Sequence, residues 1–173
     1  MFKGFLYFLL MVCLYTGLAQ KAMAQKNPQE ATTVIVMRHA EKENGKDPDP
    51  ELSPEGKKRA AQLASLFHDV PVTRLLATPY KRTRNTLAPL ASDKGIMIEA
   101  YEPSKISELA SSLKQLSGQT IVIAGHSNTA PDLVNQLLNE KKYPALSEEE
   151  FGKIWIVTLN SGRVLSCLLL NTN

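Results

Sequence analysis

Two short apolar runs that each lead into a histidine constrain the fold of this chain more than any other feature. Residues 34–37 lead directly into Arg38-His39, and residues 121–124 lead through one glycine into His126. Apolar runs of this length are typical of buried strands. In open α/β sheets, ligands bind outside the carboxyl ends of the strands. We therefore expect both histidines to lie at one edge of a sheet and to share a site.

The remaining sequence alternates between strand-like and helix-like segments. Ser53-Pro54 is a helix start, with serine at the N-cap and proline at the first helical position. Asn160-Ser161-Gly162 is a hairpin signal. This alternation predicts an α/β fold of three layers, α/β/α, in which helices cover both faces of a mostly parallel central sheet. The predicted strands are residues 33–37, 74–77, 96–100, 120–124, 154–159 and 163–170, and the predicted helices start at Ser53, Thr78, Ser104 and Thr129.

The first 24 residues are predicted to be a secretory signal peptide. Lys3 provides a positive start, residues 4–19 are uncharged and mostly apolar, and Ala22-Met23-Ala24 is a small-x-small cleavage signal. The apolar stretch is shorter than the roughly 20 residues of a membrane-spanning helix, which disfavours an uncleaved anchor. We expect cleavage after Ala24, with Ala19 as the alternative, and export to the periplasm or the medium. Residues 25–173 then form one domain that is not bound to a membrane.

Charge and cysteine content narrow the function classes. Removing Lys3 and Lys21 from the 20 basic residues leaves 18 against 17 acidic residues, and no long basic run remains. A nucleic-acid partner is therefore not expected. Cys13 leaves with the signal peptide, so Cys167 has no partner for an internal disulfide in the mature chain. Its strand-like surroundings favour a small, buried, apolar side chain.

The side chains that follow the predicted strands suit the transfer of a phosphoryl group. Planar guanidinium groups hold the negative oxygens, a neutral imidazole attacks, a protonated imidazole helps to hold the anion, and an acid protonates the leaving alkoxide. This scheme requires no metal ion and no cofactor. The alternative is a metal site built from His39, His126 and a carboxylate, which the neighbouring arginines disfavour because they would repel a cation.

Four sequence blocks, in order, resemble the histidine phosphatase superfamily, the group that contains phosphoglycerate mutases and acid phosphatases. The resemblance covers nearly all of residues 25–173 and implies the fold of that superfamily and a metal-independent phosphatase. Ala40 stands where the family more often has glycine. The blocks are Arg38-His39-Ala40-Glu41, Leu52-Ser53-Pro54-Glu55-Gly56 with Arg59-Ala60, Thr78-Pro79-Tyr80-Lys81-Arg82 with Thr86, and Gly125-His126-Ser127.

The resemblance implies a role for each matching residue. His39 is the expected nucleophile that becomes phosphohistidine. Arg38, Arg82 and the catalytic His126 are the expected phosphate pocket. Asn128 is a further candidate donor to phosphate, although it is equally suited to cap the following helix.

The general acid has no single match. One branch of the family carries a glutamate after the third strand, and Glu102 is the best candidate for that position. In another branch an aspartate directly follows the second histidine, where this chain has Ser127. Asp132, on the helix that follows, is the alternative, but no motif supports it.

The sequence therefore predicts an exported phosphomonoesterase that acts through a phosphohistidine on His39. Its substrate would be a small-molecule or protein-borne phosphoester, and inorganic phosphate would be a product. A phosphomutase of the same superfamily and a non-catalytic module that binds a phosphorylated ligand are the alternatives. The sequence does not name the substrate.

Overall fold

The computed structural model describes residues 30–172, so the predicted signal peptide and Cys13 lie outside the described residues. Six strands and four helices alternate along this part of the chain in the predicted order. No helix in it is both long enough and apolar enough to cross a membrane. The elements are β1 (Thr32–Arg38), α1 (Pro54–Leu66), β2 (Arg74–Ala77), α2 (Lys81–Lys94), β3 (Ile98–Ala100), α3 (Ile106–Leu113), β4 (Thr120–Gly125), α4 (Thr129–Leu138), β5 (Lys153–Asn160) and β6 (Arg163–Asn171).

The strands form one mixed sheet in the order β3-β2-β4-β1-β5-β6. The first four strands of this order run parallel. β5 pairs antiparallel with β1, and β6 pairs antiparallel with β5 in a hairpin. β1 and β4 are neighbours, and Arg38 pairs with Gly125 in their register. His39 and His126 follow this last pair directly, so the topology delivers both to one edge of the sheet.

Helices cover both faces of the sheet, which confirms the predicted three-layer α/β architecture. Along β1, Val34 and Val36 join the core cluster that also contains Leu113 and Leu133, from α3 and α4. Ile35 and Met37 point to the opposite face and join the cluster that contains Leu63 and Leu87, from α1 and α2. A strand that is buried on both faces reads as a continuous apolar run, as these strands do.

Two predicted helix starts were wrong. α2 begins at Lys81 rather than after Thr78. Asp49, from a distant loop, accepts the Lys81 backbone N–H at 3.0 Å and thereby satisfies the first backbone donor of the helix. Thr78 is instead fully buried beside the site. α3 begins at Ile106 rather than Ser104, and it ends at Leu113.

The start of α1 is as predicted, and it supports the loop that follows His39. The Ser53 hydroxyl accepts the Gly56 N–H at 3.2 Å. An ideal Cβ built on Gly56 would lie 2.0 Å from the Glu41 carbonyl oxygen, so only glycine permits this approach. Cys167 is half-buried rather than fully buried, because β6 is the last strand of the sheet.

Candidate active site

A cavity of about 370 Å³ lies at the carboxyl ends of β1 and β4. Its walls come from the end of β1, the segment between β2 and α2, the turn between β4 and α4, and the loop before β5. The structure brings together five predicted site residues here: Arg38, His39, Arg82, His126 and Asn128. The other lining residues are Lys42, Tyr80, Pro103, Ser127, Thr129 and Glu148.

The two imidazole rings face each other at the base of this cavity. Their centroids are 5.5 Å apart and their planes cross at 68°. The backbone N–H of His39 donates to the Gly125 carbonyl at 2.9 Å, which extends the pairing of β1 and β4 into the site. One ligand of the size of a phosphoryl group can therefore contact both rings.

The backbone fixes the proton on His39. Its Nδ1 lies 2.7 Å from the Ala40 carbonyl oxygen. Because a carbonyl only accepts, Nδ1 must carry the hydrogen, and this partner assigns the tautomer. Nε2 is left with its lone pair, which is the form that a nucleophile requires.

Burial holds His39 in the neutral form. Desolvation lowers the pKa of His39 to about 3; the Ala40 carbonyl opposes this, and the positive charge of Arg38 adds to it. At neutral pH the ring is therefore an uncharged imidazole. This agrees with the need for an unprotonated nucleophile.

His126 is held from both sides. Its Nδ1 lies 3.5 Å from Arg82 Nη2, and its Nε2 lies 2.9 Å from Thr78 Oγ1. A guanidinium only donates, so Nδ1 accepts and Nε2–H donates to Thr78. The Thr78 hydroxyl in turn lies 2.9 Å from Thr83 Oγ1, which donates to the Tyr80 carbonyl. This chain of hydrogen bonds fixes the orientation of the ring.

The expectation of a protonated second imidazole does not hold for the free site. Burial, followed by the charges of Arg82 and Arg38, lowers the pKa of His126 to about 4, while Asp49 acts in the opposite direction. Two nearby cations and a dry environment both penalise a third positive charge. A bound anion would supply the negative charge that protonation of this ring requires.

Arg38 is buried and anchored to the loop before β5. Its Nη1 donates to the carbonyl oxygens of Ser147 at 2.6 Å and of Glu148 and Glu150 at 3.2 Å each. Its Nη2 lies 3.3 Å from a carboxylate oxygen of Glu148. Its guanidinium carbon lies 4.1 Å from the ring centroid of Phe151. These contacts hold the guanidinium against the wall of the cavity.

Both site arginines retain an unused donor. Arg82 contacts Asp49 at 3.5 Å and lies 4.4 Å over the Tyr80 ring. Within residues 30–172, however, the buried Nε atoms of Arg38 and Arg82 have no hydrogen-bond partner. An unsatisfied buried donor is costly.

A second group of contacts supports the loop after His39. The Arg59 guanidinium pairs with the Glu41 carboxylate at 2.8 Å. Burial, the largest single effect, raises the pKa of Glu41, but the hydrogen bond from Arg59, a backbone hydrogen bond and the charges of Arg59 and Arg38 together outweigh it, so the net pKa is lowered. Thr86 Oγ1 accepts the Ala40 N–H at 2.9 Å. Arg59 and Thr86 of the sequence blocks thus position the backbone next to His39 rather than contact a ligand in the cavity.

The structure does not bring the two candidate acids to this cavity. Glu102 is exposed, and although its neighbour Pro103 lines the cavity, Glu102 is not among the described lining residues. Asp132 is exposed on α4 and lines a different surface depression, with Asn135 and Lys142. A proton donor must therefore come from another group unless Glu102 turns inward.

Asp49 and Glu148 are site residues that the sequence did not predict. Both lie in loops, at the breaker-rich segment 42–53 and in the acidic segment 139–152, and neither has a local motif that marks it. Their contacts with Arg82 and Arg38 arise only when the loops fold over the sheet edge. Within residues 30–172, no group of three His, Cys, Asp or Glu side chains is placed to hold a metal ion.

Comparisons with known proteins agree with the fold described above. Residues 34–111 match the family model of the histidine phosphatase superfamily (branch 1). No curated protein matches the chain. The matched segment contains three of the four sequence blocks, and His126 lies beyond it.

Solved structures share the fold at low sequence identity. The protein histidine phosphatase SixA, in complex with tungstate, is 18% identical, with a TM-score of 0.69 over 80% of this chain and 96% of that one. A mycobacterial glucosyl-3-phosphoglycerate phosphatase is 13% identical, with a TM-score of 0.63 over 82% of this chain and 98% of that one. In both comparisons the shared fold covers at least 80% of this chain and at least 96% of the other.

Proposed function

We propose that this chain is a member of the histidine phosphatase superfamily that hydrolyses phosphate monoesters through a phosphohistidine intermediate on His39. The proposal rests on four side chains that line one cavity. They are the rings of His39 and His126, whose centroids are 5.5 Å apart, and the guanidiniums of Arg38 and Arg82.

In the first step, the Nε2 lone pair of His39 attacks phosphorus and the bond to the leaving oxygen breaks. Arg38 and Arg82 hold the non-bridging oxygens, whose charge is the main barrier to attack. The leaving oxygen takes up a proton and departs as an alcohol. In the second step, water attacks the phosphohistidine, loses a proton, and releases inorganic phosphate while His39 returns to its neutral form.

His126 changes its role as the site fills. It is neutral in the free site because burial and two arginines disfavour its charge. A phosphate group next to it favours the protonated form, which then helps to hold the transferred group. The Thr78 contact keeps the ring in place during this change.

The substrate is a phosphoester small enough, or exposed enough on a protein, to reach an open cavity at the sheet edge. One structural relative is named for a protein phosphohistidine and another for a small sugar-linked phosphate. These names do not choose between the two classes. The tungstate complex of the former supports the use of tungstate and inorganic phosphate as competitive inhibitors of this protein.

Hydrolysis of 4-nitrophenyl phosphate tests the proposal, because this good leaving group needs little help from an acid. We expect the protein made from its full-length coding sequence to turn it over, with and without a chelator. His39→Ala should lose the activity while keeping the fold. Residual activity within about tenfold of wild type, which is ~1.4 kcal/mol in barrier, would contradict a nucleophilic His39.

A non-catalytic binding module is the second candidate, because neither Glu102 nor Asp132 lies among the described lining residues of the cavity. Such a module would bind phosphate or tungstate without hydrolysing any aryl phosphate. Loss of hydrolysis upon chelation would instead favour a metal-dependent enzyme.

We also infer that residues 1–24 direct export, from their apolar stretch and the Ala22-Met23-Ala24 signal. The mass of the purified protein tests this. Cleavage after Ala24 leaves Gln25 as the first residue. A protein recovered with the intact leader in the cytoplasmic fraction would contradict export.

A further inference from the structure

The proposed reaction needs a proton donor, and the structure offers a carboxyl group that no motif marks. Among the described residues that line the cavity, Glu148 is the one with a carboxylate. It lies on the loop before β5, and its Oε2 is 3.3 Å from Arg38 Nη2. A side chain that contacts a phosphate-holding arginine lies within reach of the leaving oxygen of a bound ester.

The backbone at Glu148 is fixed to both walls of the cavity. The Leu146 N–H donates to the Ser127 carbonyl at 2.8 Å, which ties the loop to the turn after β4. Arg38 binds the carbonyl oxygens of Ser147 and Glu148, which ties the same loop to the end of β1. The position of the Cα atom of Glu148 relative to the phosphate site is therefore set by the fold.

The side chain of Glu148, in contrast, is free to move and to exchange protons with water. It is 82% exposed, whereas Arg38 is almost fully buried. Two other carboxylates near Glu148 are already paired: Glu150 with Lys153 at 2.5 Å, and Glu41 with Arg59. A phosphate that binds Arg38 takes the place of the Glu148 carboxylate, which leaves that side chain beside the bound ester.

We propose that Glu148 is the general acid of this site, an assignment that rests on the proposed phosphatase function. Glu148–COOH donates its proton to the leaving oxygen as the P–O bond breaks and His39 Nε2 forms the N–P bond. The resulting carboxylate then accepts a proton from the water that attacks the phosphohistidine. The cycle ends with the acid restored, with alcohol and inorganic phosphate as the products.

The test compares good and poor leaving groups in Glu148→Gln. With an alkyl phosphate, which needs a proton on departure, we expect kcat/KM to fall by about a hundredfold or more. With 4-nitrophenyl phosphate we expect a loss of no more than about threefold, because the departing phenolate is stable without a proton. Glu149→Gln is the matched control, since Glu149 is exposed on the same loop and is not among the described lining residues.

Each outcome decides a separate question. Equal losses on both substrates, or no loss on either, would overturn the assignment of Glu148. The selective loss appearing in Glu102→Gln instead would give the role to Glu102. If wild type hydrolyses neither substrate, the proposed function itself fails. A thermal unfolding curve of Glu148→Gln that matches wild type shows that any loss of activity is not a loss of fold.

Discussion

The two imidazoles of the site are neutral for the same reason and oriented by different partners. Burial lowers the pKa of both rings, and the nearby arginines add to the effect. His39 is oriented by the carbonyl of the next residue, Ala40, which leaves Nε2 free to attack. His126 is oriented by Thr78 and Arg82, so neither of its nitrogens is free in the unliganded site. This difference supports His39 as the nucleophile.

Thr78→Val tests whether the orientation of His126 matters. The substitution keeps the shape of the side chain and leaves the Nε2–H of His126 without its acceptor, at a cost of about 1–3 kcal/mol. We expect kcat/KM to fall by about tenfold or more, with KM for substrate changing less than kcat. Thr78→Ser, which keeps the hydroxyl, should recover most of the activity; failure of this rescue would mean that Thr78 acts through packing alone.

Arg82→Ala and Arg84→Ala form a matched pair of charge removals on α2. Arg82 lines the cavity and Arg84 is exposed. We expect Arg82→Ala to lower kcat/KM by about a hundredfold or more, as for loss of a donor that stabilises transition-state charge. Arg84→Ala should stay close to wild type in the same assay. The reverse order would mean that the phosphate lies elsewhere on the helix.

Among the elements, β1 and α1 together determine where His39 points. The register of β1 with β4 places His39 beside His126, and the N-terminus of α1 presses against the segment that follows His39. Gly56 permits that approach, because a Cβ there would overlap the Glu41 carbonyl. Arg59, one turn further along α1, then pairs with the Glu41 side chain.

Gly56→Ala is therefore expected to damage both stability and activity. Overlap with a backbone atom must displace the helix or the loop, at a cost of about 1–3 kcal/mol. Gly95→Ala is the control: Gly95 has φ +65° with open space around it, so strain alone should cost about 1–2 kcal/mol. Urea unfolding and turnover of an aryl phosphate measure the two effects. We expect both variants to lose stability and only Gly56→Ala to lose activity. Full activity in a folded Gly56→Ala would show that the approach of Gly56 to Glu41 does not position His39.

Elements with local sequence signals were predicted correctly. Features that depend on a contact with a residue far away in the sequence were not. The buried strands β1 and β4 are visible because both of their faces are apolar, and Arg38 and His39 follow from the point where β1 ends. The start of α2 was misplaced because its N-terminal donor is satisfied by Asp49 from another loop. Glu148 was not predicted as a site residue because its contact with Arg38 exists only in the folded loop.

For the molecule as a whole, the buried histidines make stability depend on pH. The pKa values of His39 and His126 in the fold are about 3 and about 4, against the ordinary value of 6.5 in an unfolded chain. Between these values the unfolded state binds more protons than the folded state. The free energy of unfolding therefore falls as the pH is lowered from about 6.5, by up to ~1.4 kcal/mol per pH unit for each histidine.

Urea unfolding between pH 6.5 and pH 4.5, a window set by these shifts, measures this dependence. His39→Gln removes one of the two site histidines and should make the fall in stability with decreasing pH less steep. An unchanged slope in His39→Gln would show that His39 does not stay neutral in the folded protein.

The most direct measurement of the central claim is to trap the reaction intermediate. The protein is mixed with an aryl phosphate, quenched within one turnover in alkaline denaturant, digested, and searched for phosphorylated peptides by mass spectrometry. The account predicts a phosphoryl group on the peptide that contains His39, absent from His39→Ala and retained in Arg84→Ala. A protein that hydrolyses the ester with the phosphoryl group on another residue, or with none on His39, would contradict it.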